Sequence, residues 1–281
     1  MDAVSPRTYL AAAPSFDGSS SLFGGGADSV DCTSAFSAAV TEGAASAPAP
    51  ALALSRARCG LAAARAGGGG GAGGGADTVL FAGGNSRLGY TGAVDAFVYA
   101  NGSWAPAATA AGGGAAYAPP KLAVARSWLV GASAPPHLAC FVGGFEAAAD
   151  RKSAAVECFD ARRPAAGLAR LPDLPSGRMF HAAVGTRNSS SGGATLWVGG
   201  GTDDNDVTAA VSVLHIPPTA GHGAPPADTA GWAQLAHGLS SRRTKLAVAA
   251  APRAGRVAFA GGEGDDDGGG GEGAGDQEGE W

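Results

Sequence analysis

Stretches in which apolar and polar residues alternate recur along the chain. The clearest are residues 93–99, 155–160 and 210–215, and a shorter one covers residues 30–32. Alternation with a period of two is typical of a strand with one buried face. Residues common in turns separate the stretches, and no apolar run reaches the ~18 residues that a membrane-spanning helix requires. The pattern predicts an all-β chain of short strands.

Five pairs of glycines, each with an aromatic residue two positions ahead, divide the chain into repeats. The first glycines stand at positions 25, 83, 143, 199 and 261, so successive pairs are 58, 60, 56 and 62 residues apart. Such even spacing predicts a structural repeat. We expect each pair to end the second strand of its unit in a tight turn with positive φ, which glycine adopts without strain. The pairs are Gly25 and Gly26, Gly83 and Gly84, Gly143 and Gly144, Gly199 and Gly200, and Gly261 and Gly262.

A second motif lies upstream of each glycine pair and predicts the first strand of each unit. Four copies begin with arginine, and four carry leucine at the fourth position. In the fourth copy His181 takes the leucine position, so we expect a partly buried core histidine rather than a ligand or a base. The five copies begin at Arg7, Arg58, Pro119, Arg178 and Arg243.

Each unit therefore contains four short strand-like segments, and the fourth segment includes Trp104 in the second unit and Trp232 in the fourth. A single small antiparallel sheet leaves one apolar face bare, so the units must stack. Radial stacking of four-stranded sheets is a β-propeller. The repeat resembles the kelch repeat, whose marks are an apolar strand that runs into Gly-Gly, a tyrosine such as Tyr99, and a tryptophan shortly after it.

The resemblance implies a kelch-type β-propeller over residues 1–262, with about five four-stranded blades and the last one incomplete. The fifth unit supplies only two strands before a glycine-rich acidic segment begins, so we expect an open or strained ring with a bare sheet edge at each end. Exposed edges favour pairing with other chains. Either the chain is a fragment of a longer protein, or it self-associates through these edges. The units span residues 5–52, 53–115, 116–174, 175–238 and 239–262.

Charge is distributed unevenly along the chain, whose net charge is −5. Residues 263–281 hold eight acidic residues and no Lys or Arg, which leaves +3 on residues 1–262. A body so close to neutrality lacks the basic stripe typical of nucleic-acid binding. The acidic segment has too few apolar residues to offset the entropy of ordering, so we predict that it is disordered and dispensable for folding.

The N-terminus lacks the basic and apolar regions of a signal peptide, which favours a cytoplasmic location.

The four cysteines show no spacing typical of a metal site. Cys32, Cys59, Cys140 and Cys158 form no CxxC and no paired Cys/His pattern, so a zinc site is not expected. We expect four buried free thiols. Two disulfides are the alternative in a secreted chain.

The other residues that could carry chemistry are scattered. Some kelch-like propellers are copper radical oxidases, but the tyrosines and histidines here show no ligand spacing. The acidic run 203–206 lacks the glycine and the distal glutamate of a calcium loop, and the glycine run 67–75 lacks the Lys-Ser/Thr of a phosphate-binding loop. We therefore predict no catalytic, metal or cofactor residue. The glycine pairs, Tyr99, Trp104 and Trp232 are expected to be structural.

Resemblance to the kelch family implies a non-catalytic protein-interaction module that binds another protein through loops at one face of the ring. The alternative is a propeller-type enzyme or a carbohydrate-binding protein with a site at that face. Convergence of three or more of His137, His222, Asp203, Asp206 and Tyr90 would favour this alternative, because groups within ~4–6 Å shift one another's pKa. A degenerate product without a function of its own is the third interpretation that the sequence leaves open.

Overall fold

The computed structural model describes most residues between Thr8 and Gly264. The described residues are 8–15, 20–27, 32, 36–37, 39–41, 44–46, 52–67, 77–100, 103–108, 119–135, 137–188, 191–218, 231–251 and 256–264.

These residues form short β-strands without an α-helix, which confirms the all-β prediction. Two 3-10 turns occur at Ala147–Ala149 and Pro164–Ala166. Within the described ranges, no helix is long and apolar enough to cross a membrane. The strands in chain order are β1 Ala11–Pro14, β2 Ser21–Gly24, β3 Phe36–Ser37, β4 Ala39–Thr41, β5 Ala44–Ser46, β6 Ala62–Ala66, β7 Asp77–Ala82, β8 Asn85–Ser86, β9 Gly89–Tyr90, β10 Val94–Ala100, β11 Ser103–Pro106, β12 Val130–Ala134, β13 Leu138–Val142, β14 Phe145–Glu146, β15 Arg151–Lys152, β16 Val156–Asp160, β17 Leu168–Leu171, β18 Ala182–Arg187, β19 Ala194–Gly199, β20 Val211–Ile216, β21 Trp232–Gln234, β22 Arg243–Thr244, β23 Ala247–Ala251, β24 Arg256–Ala260 and β25 Glu263–Gly264.

Three units each form a four-stranded antiparallel sheet. Unit 2 has the strand order β6-β7-β10-β11, unit 3 has β12-β13-β16-β17, and unit 4 has β18-β19-β20-β21. Unit 1 pairs β1, β2 and β3, and unit 5 pairs β23 with β24. Short ribbons β4–β5, β8–β9, β14–β15 and β22–β25 accompany these sheets. In the described part of the chain, no sheet contains strands of both unit 1 and unit 5.

The sheets stack face to face in chain order. The first strands of successive units, β1, β6, β12, β18 and β23, lie side by side. Apolar cores fill the spaces between units 1 and 2, units 2 and 3, and units 3 and 4. Successive side chains of a strand point to opposite faces, so Phe81 lies in the first core and Leu80 in the second. The side chains of one strand therefore contribute alternately to the core on each side of its sheet.

Small residues let the first strands approach one another closely. A Cβ atom at Gly131 of β12 would lie 2.0 Å from the carbonyl oxygen of Ala63 in β6. One at Gly185 of β18 would lie 2.4 Å from the Cα atom of Ala134 in β12. No side chain fits at either position, because real Cβ contacts are longer. The glycine-rich and alanine-rich composition is therefore required where the strands converge.

The first-strand motif of unit 3 begins at Arg126, so the prediction that it begins at Pro119 is wrong. The motif at 126–129 directly precedes β12, as the motif at 58–61 directly precedes β6. Leucine stands at the fourth position of both candidate motifs, which made the two registers hard to distinguish in sequence. All five copies of the motif therefore begin with arginine.

The glycine turn of unit 4 is formed by Gly200 and Gly201, not by Gly199 and Gly200. Gly200 and Gly201 have φ angles of 63° and 92°, whereas Gly199 is the last residue of β19. A Cβ atom at Gly199 would lie 2.7 Å from the ring of Phe259 in unit 5, so this glycine leaves space for the next unit. Three consecutive glycines fit either register in sequence, and the backbone selects the later one.

The four cysteines form two disulfide bonds, so the expectation of free thiols is wrong. Cys140 and Cys158 lie directly opposite each other on β13 and β16, with their Cα atoms 4.0 Å apart. Cys32 is bonded to Cys59, with a Cα–Cα distance of 5.2 Å. The sheet register brings Cys140 and Cys158 together, and Cys32 and Cys59 each form a β-bridge at the glycine turn of their own unit, to Ala27 and to Asn85. Spacing along the chain does not reveal these contacts. Disulfides persist in oxidising compartments.

Candidate functional site

One end of the stacked sheets gathers the two repeated motifs. In each unit, the second residue of the arginine motif pairs with the residue that follows the glycine turn. We name this end the Gly-Gly face; it comprises the motifs and the connections between the second and third strands. The pairs are Thr8 with Ala27, Cys59 with Asn85, Ser127 with Phe145, Met179 with Thr202, and Thr244 with Glu263.

A buried arginine fixes this face to the interior of unit 2. Arg58 is fully buried, and its Nη1 donates to the carbonyl oxygens of Gly83 at 2.9 Å and Ala93 at 2.6 Å. Its Nη2 forms an ion pair with the carboxylate of Asp95 on β10. Burial lowers the pKa of Arg58, and the charge and hydrogen bond of Asp95 oppose that shift. The arginine thus ties the glycine turn to the third strand.

Units 3 and 4 repeat this arrangement. Arg126 Nη1 lies 2.6 Å from Glu157 Oε2 on β16, and Arg178 Nη2 donates to the Ser212 hydroxyl on β20 at 3.1 Å. We call the arginine and its third-strand partner the arginine pair of each unit. Because both partners are buried and the contacts recur from unit to unit, the arginine pairs are structural. The sequence showed the arginines but gave no sign of their partners, which lie more than 30 residues away.

The third residue of each arginine motif has an unusual backbone conformation. Its φ is 55° at Tyr9, 61° at Gly60, 54° at Trp128, 56° at Phe180 and 56° at Lys245. Hydrogen bonds connect these positions in series: Gly60 N donates to Tyr9 O at 3.1 Å, and Trp128 N donates to Gly60 O at 2.8 Å. Lys245 N donates to Phe180 O at 2.7 Å. Positive φ is rare for bulky residues, so the repeat presents large side chains here from a strained backbone.

Aromatic side chains from three units meet at the Gly-Gly face. The ring of Trp128 lies 6.0 Å from that of Tyr90, 6.1 Å from that of Phe145 and 5.4 Å from that of Phe180, measured between centroids. We name Tyr90, Trp128, Phe145 and Phe180 the aromatic cluster; all four are half-buried. Partial burial raises the pKa of Tyr90. Edge-to-face and tilted contacts of this kind stabilise aromatic groups.

Large exposed apolar side chains also belong to the Gly-Gly face. Tyr9 is 66% exposed and Leu10 is 40% exposed at the start of unit 1, and Leu88 is 91% exposed in the turn between β8 and β9. Leu235 is also exposed, but it follows β21, the outer strand of unit 4. The Gly-Gly face therefore presents apolar surface to solvent. Only Tyr9 and Tyr90 of these residues were considered as site candidates in the sequence.

Two lysines of this face bind an acidic side chain and a backbone carbonyl group, respectively. The Lys245 ammonium lies 2.7 Å from the Glu263 carboxylate, and the Lys152 ammonium donates to the Asp203 carbonyl oxygen. The Asp203 carboxylate accepts from the backbone N–H groups of Asn205 at 2.9 Å and Asp206 at 3.2 Å. Residues 203–206 therefore form a turn that is closed by hydrogen bonds within the turn itself. The described residues include no group of three or more His, Cys, Asp or Glu side chains that could hold a metal ion.

Of the residues whose convergence would favour an enzyme or a carbohydrate-binding protein, the structure describes four and places two, Asp203 and Asp206, in one turn. Tyr90 belongs to the aromatic cluster, and Asp203 and Asp206 share the turn after β19. His137 lies in the connection between β12 and β13, at the opposite end of the sheets, where its Nδ1 is 3.1 Å from Gly67 O. His222 lies outside the described residues.

The two predicted structural tryptophans each join neighbouring units. Trp104 Nε1 donates to the Ser20 hydroxyl of unit 1 at 2.9 Å, and the Trp104 ring packs on Tyr99 with centroids 4.9 Å apart. Trp232 Nε1 donates to the Pro172 carbonyl oxygen of unit 3 at 2.9 Å. These contacts hold successive sheets in fixed positions, so the loops of the Gly-Gly face rest on a continuous scaffold.

No protein-family model and no curated protein matches this chain. The resemblance to the kelch repeat therefore rests on the residues of the repeat.

Proposed function

We propose that the chain is a kelch-type β-propeller that acts as a protein-interaction module and binds its partner through the Gly-Gly face. Support for the propeller comes from the consecutive four-stranded sheets and from their first strands, which lie side by side. A stack of sheets with a repeated face presents several loops on one rigid surface. Binding residues are commonly carried on loops that a rigid scaffold positions.

The observation that carries the proposal is that the aromatic cluster and exposed apolar side chains lie on the same Gly-Gly face. Aromatic residues dominate the energetic centres of protein interfaces. Trp128 lies among three aromatic rings, and Tyr9 and Leu88 expose most of their surface. Trp128 and Phe180 adopt positive φ at a position where the repeat also accepts glycine and lysine. A contact between the partner and these two rings would explain why large aromatic residues occupy such strained positions.

The repeat itself supplies a variant for the test. Trp128→Gly copies the residue that unit 2 has at the same position, where Gly60 has φ of 61°. The substitution removes the largest ring of the aromatic cluster and suits the backbone. Leu88→Ser and Leu235→Ser form a matched pair of exposed leucines, the first on the Gly-Gly face and the second after the outer strand of unit 4.

The experiment is affinity purification of the full chain from cell extract, followed by titration of the purified partner by calorimetry. We expect Trp128→Gly and Leu88→Ser to weaken binding by about tenfold or more, which corresponds to ~1.4 kcal/mol. Leu235→Ser should leave the affinity unchanged, and circular dichroism should show all variants folded. Equal affinity of the wild type and Trp128→Gly would contradict the proposal, as would retention of the chain by glycans and by no protein.

A further inference from the structure

Among the residues that the structure describes, unit 5 has no counterpart of the third strand that units 2, 3 and 4 contain. Its sheet consists of β23 and β24 in the described residues, and no described strand pairs with the outer edge of β24. Side chains that are buried on the second strands of units 2 to 4 are largely exposed on β24. The chain beyond Gly264 consists mainly of glycine and acidic residues, which are depleted in strands.

Arg243 of unit 5 is held as the other motif arginines are, except for its third-strand contact. Its Nη1 donates to Gly261 O at 3.1 Å, as Arg58 Nη1 donates to Gly83 O at 2.9 Å. Its Nε donates to Ser241 Oγ at 2.8 Å. The described residues provide no acceptor for Nη2 of Arg243. In unit 2 the equivalent atom, Nη2 of Arg58, contacts Asp95. The guanidinium is thus oriented toward the place of a missing partner.

The register of the complete units defines where that partner belongs. Asp95 lies opposite Phe81, Glu157 lies opposite Phe141, and Ser212 lies opposite Val198. In every case the second-strand residue stands two positions before the first glycine of the turn. The corresponding residue of unit 5 is Phe259. A third strand beside β24 would therefore place its Arg243 partner opposite Phe259.

A backbone N–H group near the motif arginine indicates whether the third-strand partner of that arginine is a carboxylate or a hydroxyl group. The residue three before the arginine donates to the second carboxylate oxygen in units 2 and 3: Ser55 N to Asp95 at 3.1 Å, and Ala123 N to Glu157 at 2.9 Å. In unit 4 the same position is Pro175, which has no N–H group, and the partner is a serine. In unit 5 the position is Ser240, which has one. The unfilled position of unit 5 therefore matches an acidic residue.

The residue two positions before the arginine's third-strand partner also has a constant backbone contact and a constant identity, alanine, in the complete units. The first turn glycine donates to it in each complete unit: Gly83 N to Ala93 O at 3.0 Å, Gly143 N to Ala155 O at 2.9 Å, and Gly200 N to Ala210 O at 3.1 Å. Among the described residues, Gly261 N has no such acceptor. Two segments of this chain that satisfy the pattern, residues 93–95 and 155–157, lie in third strands that are already paired on both sides. A third match, residues 148–150, forms a 3-10 turn and is not extended. Among the described residues, a second folded copy therefore has no free extended segment to donate.

We propose that the outer edge of β24 binds an extended segment of a different polypeptide, which adds the missing strand to unit 5. The segment has the pattern alanine, apolar residue, then aspartate or glutamate, and its carboxylate lies opposite Phe259. Arg243 Nη2 and Ser240 N–H bind the two carboxylate oxygens. Addition of a strand to an open sheet edge is an established mode of peptide recognition, in which backbone bonds give affinity and side-chain contacts give specificity.

The probe is a synthetic peptide with the sequence of residues 93–99, which is the third strand of unit 2 with its alanine and Asp95, and with lysines appended for solubility. Its matched control replaces the aspartate by asparagine. Binding to the full chain is measured by fluorescence anisotropy for the wild type, for Arg243→Gln and for Arg242→Gln, which removes the same charge one residue away.

We expect saturable binding of the aspartate peptide and binding about tenfold weaker for the asparagine peptide, since charge-assisted hydrogen bonds are the stronger ones. Arg243→Gln should bind both peptides equally weakly, and Arg242→Gln should behave as the wild type. Hydrogen exchange should slow at residues 256–260 when the peptide is added. The absence of saturable binding, or equal affinities of the two peptides, would overturn the proposal. So would binding only after truncation at Gly264, because the chain's own C-terminal segment would then occupy the edge.

Discussion

His181 occupies a leucine position of the repeat, and we predict that His181→Leu stabilises the chain. The imidazole packs on Gly143 of unit 3, as Leu129 packs on Gly83 and Leu246 packs on Gly200. His181 is buried, and neither ring nitrogen forms a hydrogen bond of ordinary geometry. A buried polar group without a partner destabilises a fold by about 1–3 kcal/mol. Leucine removes that penalty and fits the same site in three other units.

The effect depends on pH in a defined direction. Burial, together with the charge of Arg178, lowers the pKa of His181 to about 3, while a backbone interaction with Val142 offsets this only in part. An unfolded histidine has a pKa near 6.5. Between these values the unfolded chain binds one proton more than the folded chain, so stability falls as pH falls. Each pH unit below ~6.5 contributes about 1.4 kcal/mol, or about 2 kcal/mol at pH ~5.

The assay is urea denaturation at about pH 7.5 and about pH 5. We expect His181→Leu to be more stable than the wild type at both values, with an advantage about 2 kcal/mol larger at the lower pH. The control is His215→Gln, since His215 is exposed on β20; it should follow the wild type at both values. If the difference between His181→Leu and the wild type were the same at both pH values, the argument from burial would be refuted.

Three further predictions concern the scaffold. Gly143→Val should lower the free energy of unfolding by more than ~1 kcal/mol, because φ is 59° and a Cβ atom would lie 2.5 Å from Arg178 O; an unchanged melting temperature would disprove the turn assignment. Glu157→Ala should destabilise by about 3–5 kcal/mol in urea denaturation, since it leaves Arg126 buried without its charge partner, whereas Asp173→Ala, which breaks the exposed pair with Arg170, should change stability by less than ~1 kcal/mol. Deletion of residues 265–281 should leave the melting temperature unchanged in scanning calorimetry, and a marked decrease would mean that this segment is docked.

The periodic features of the fold were predictable from sequence because they are local. Alternation identified the third strands, and the glycine pairs located the ends of the second strands. Both errors of register arose where the local pattern occurs twice in succession. Three glycines at 199–201 offered two turns, and leucine at the fourth position of two neighbouring segments concealed the arginine motif of unit 3. The register between strands, which local sequence does not contain, decided both cases.

The features of the candidate site depend on contacts between distant residues. The bridge between Ser127 and Phe145 brings the rings of Trp128 and Phe145 together within unit 3, and stacking of the sheets adds Tyr90 from unit 2. The ion pair of Asp95 with Arg58 and the bond between Cys140 and Cys158 depend on strand pairing within one unit, between residues that are distant in sequence. Once all five motifs are known to begin with arginine, a search for one acidic or hydroxyl residue in each third strand would have found the arginine pairs.

Native-state hydrogen exchange of the full chain tests most directly whether the repeat ends in an open edge. The measurement compares the second strands of the units, β7, β13 and β19 against β24. In a strand with a neighbour on each side, every amide N–H is hydrogen-bonded and exchanges only when the sheet opens. We predict slow exchange throughout β7, β13 and β19, and fast exchange at alternate residues of β24, on its outer edge. Uniformly slow exchange in β24 would contradict the account, because another strand of the chain would then cover that edge.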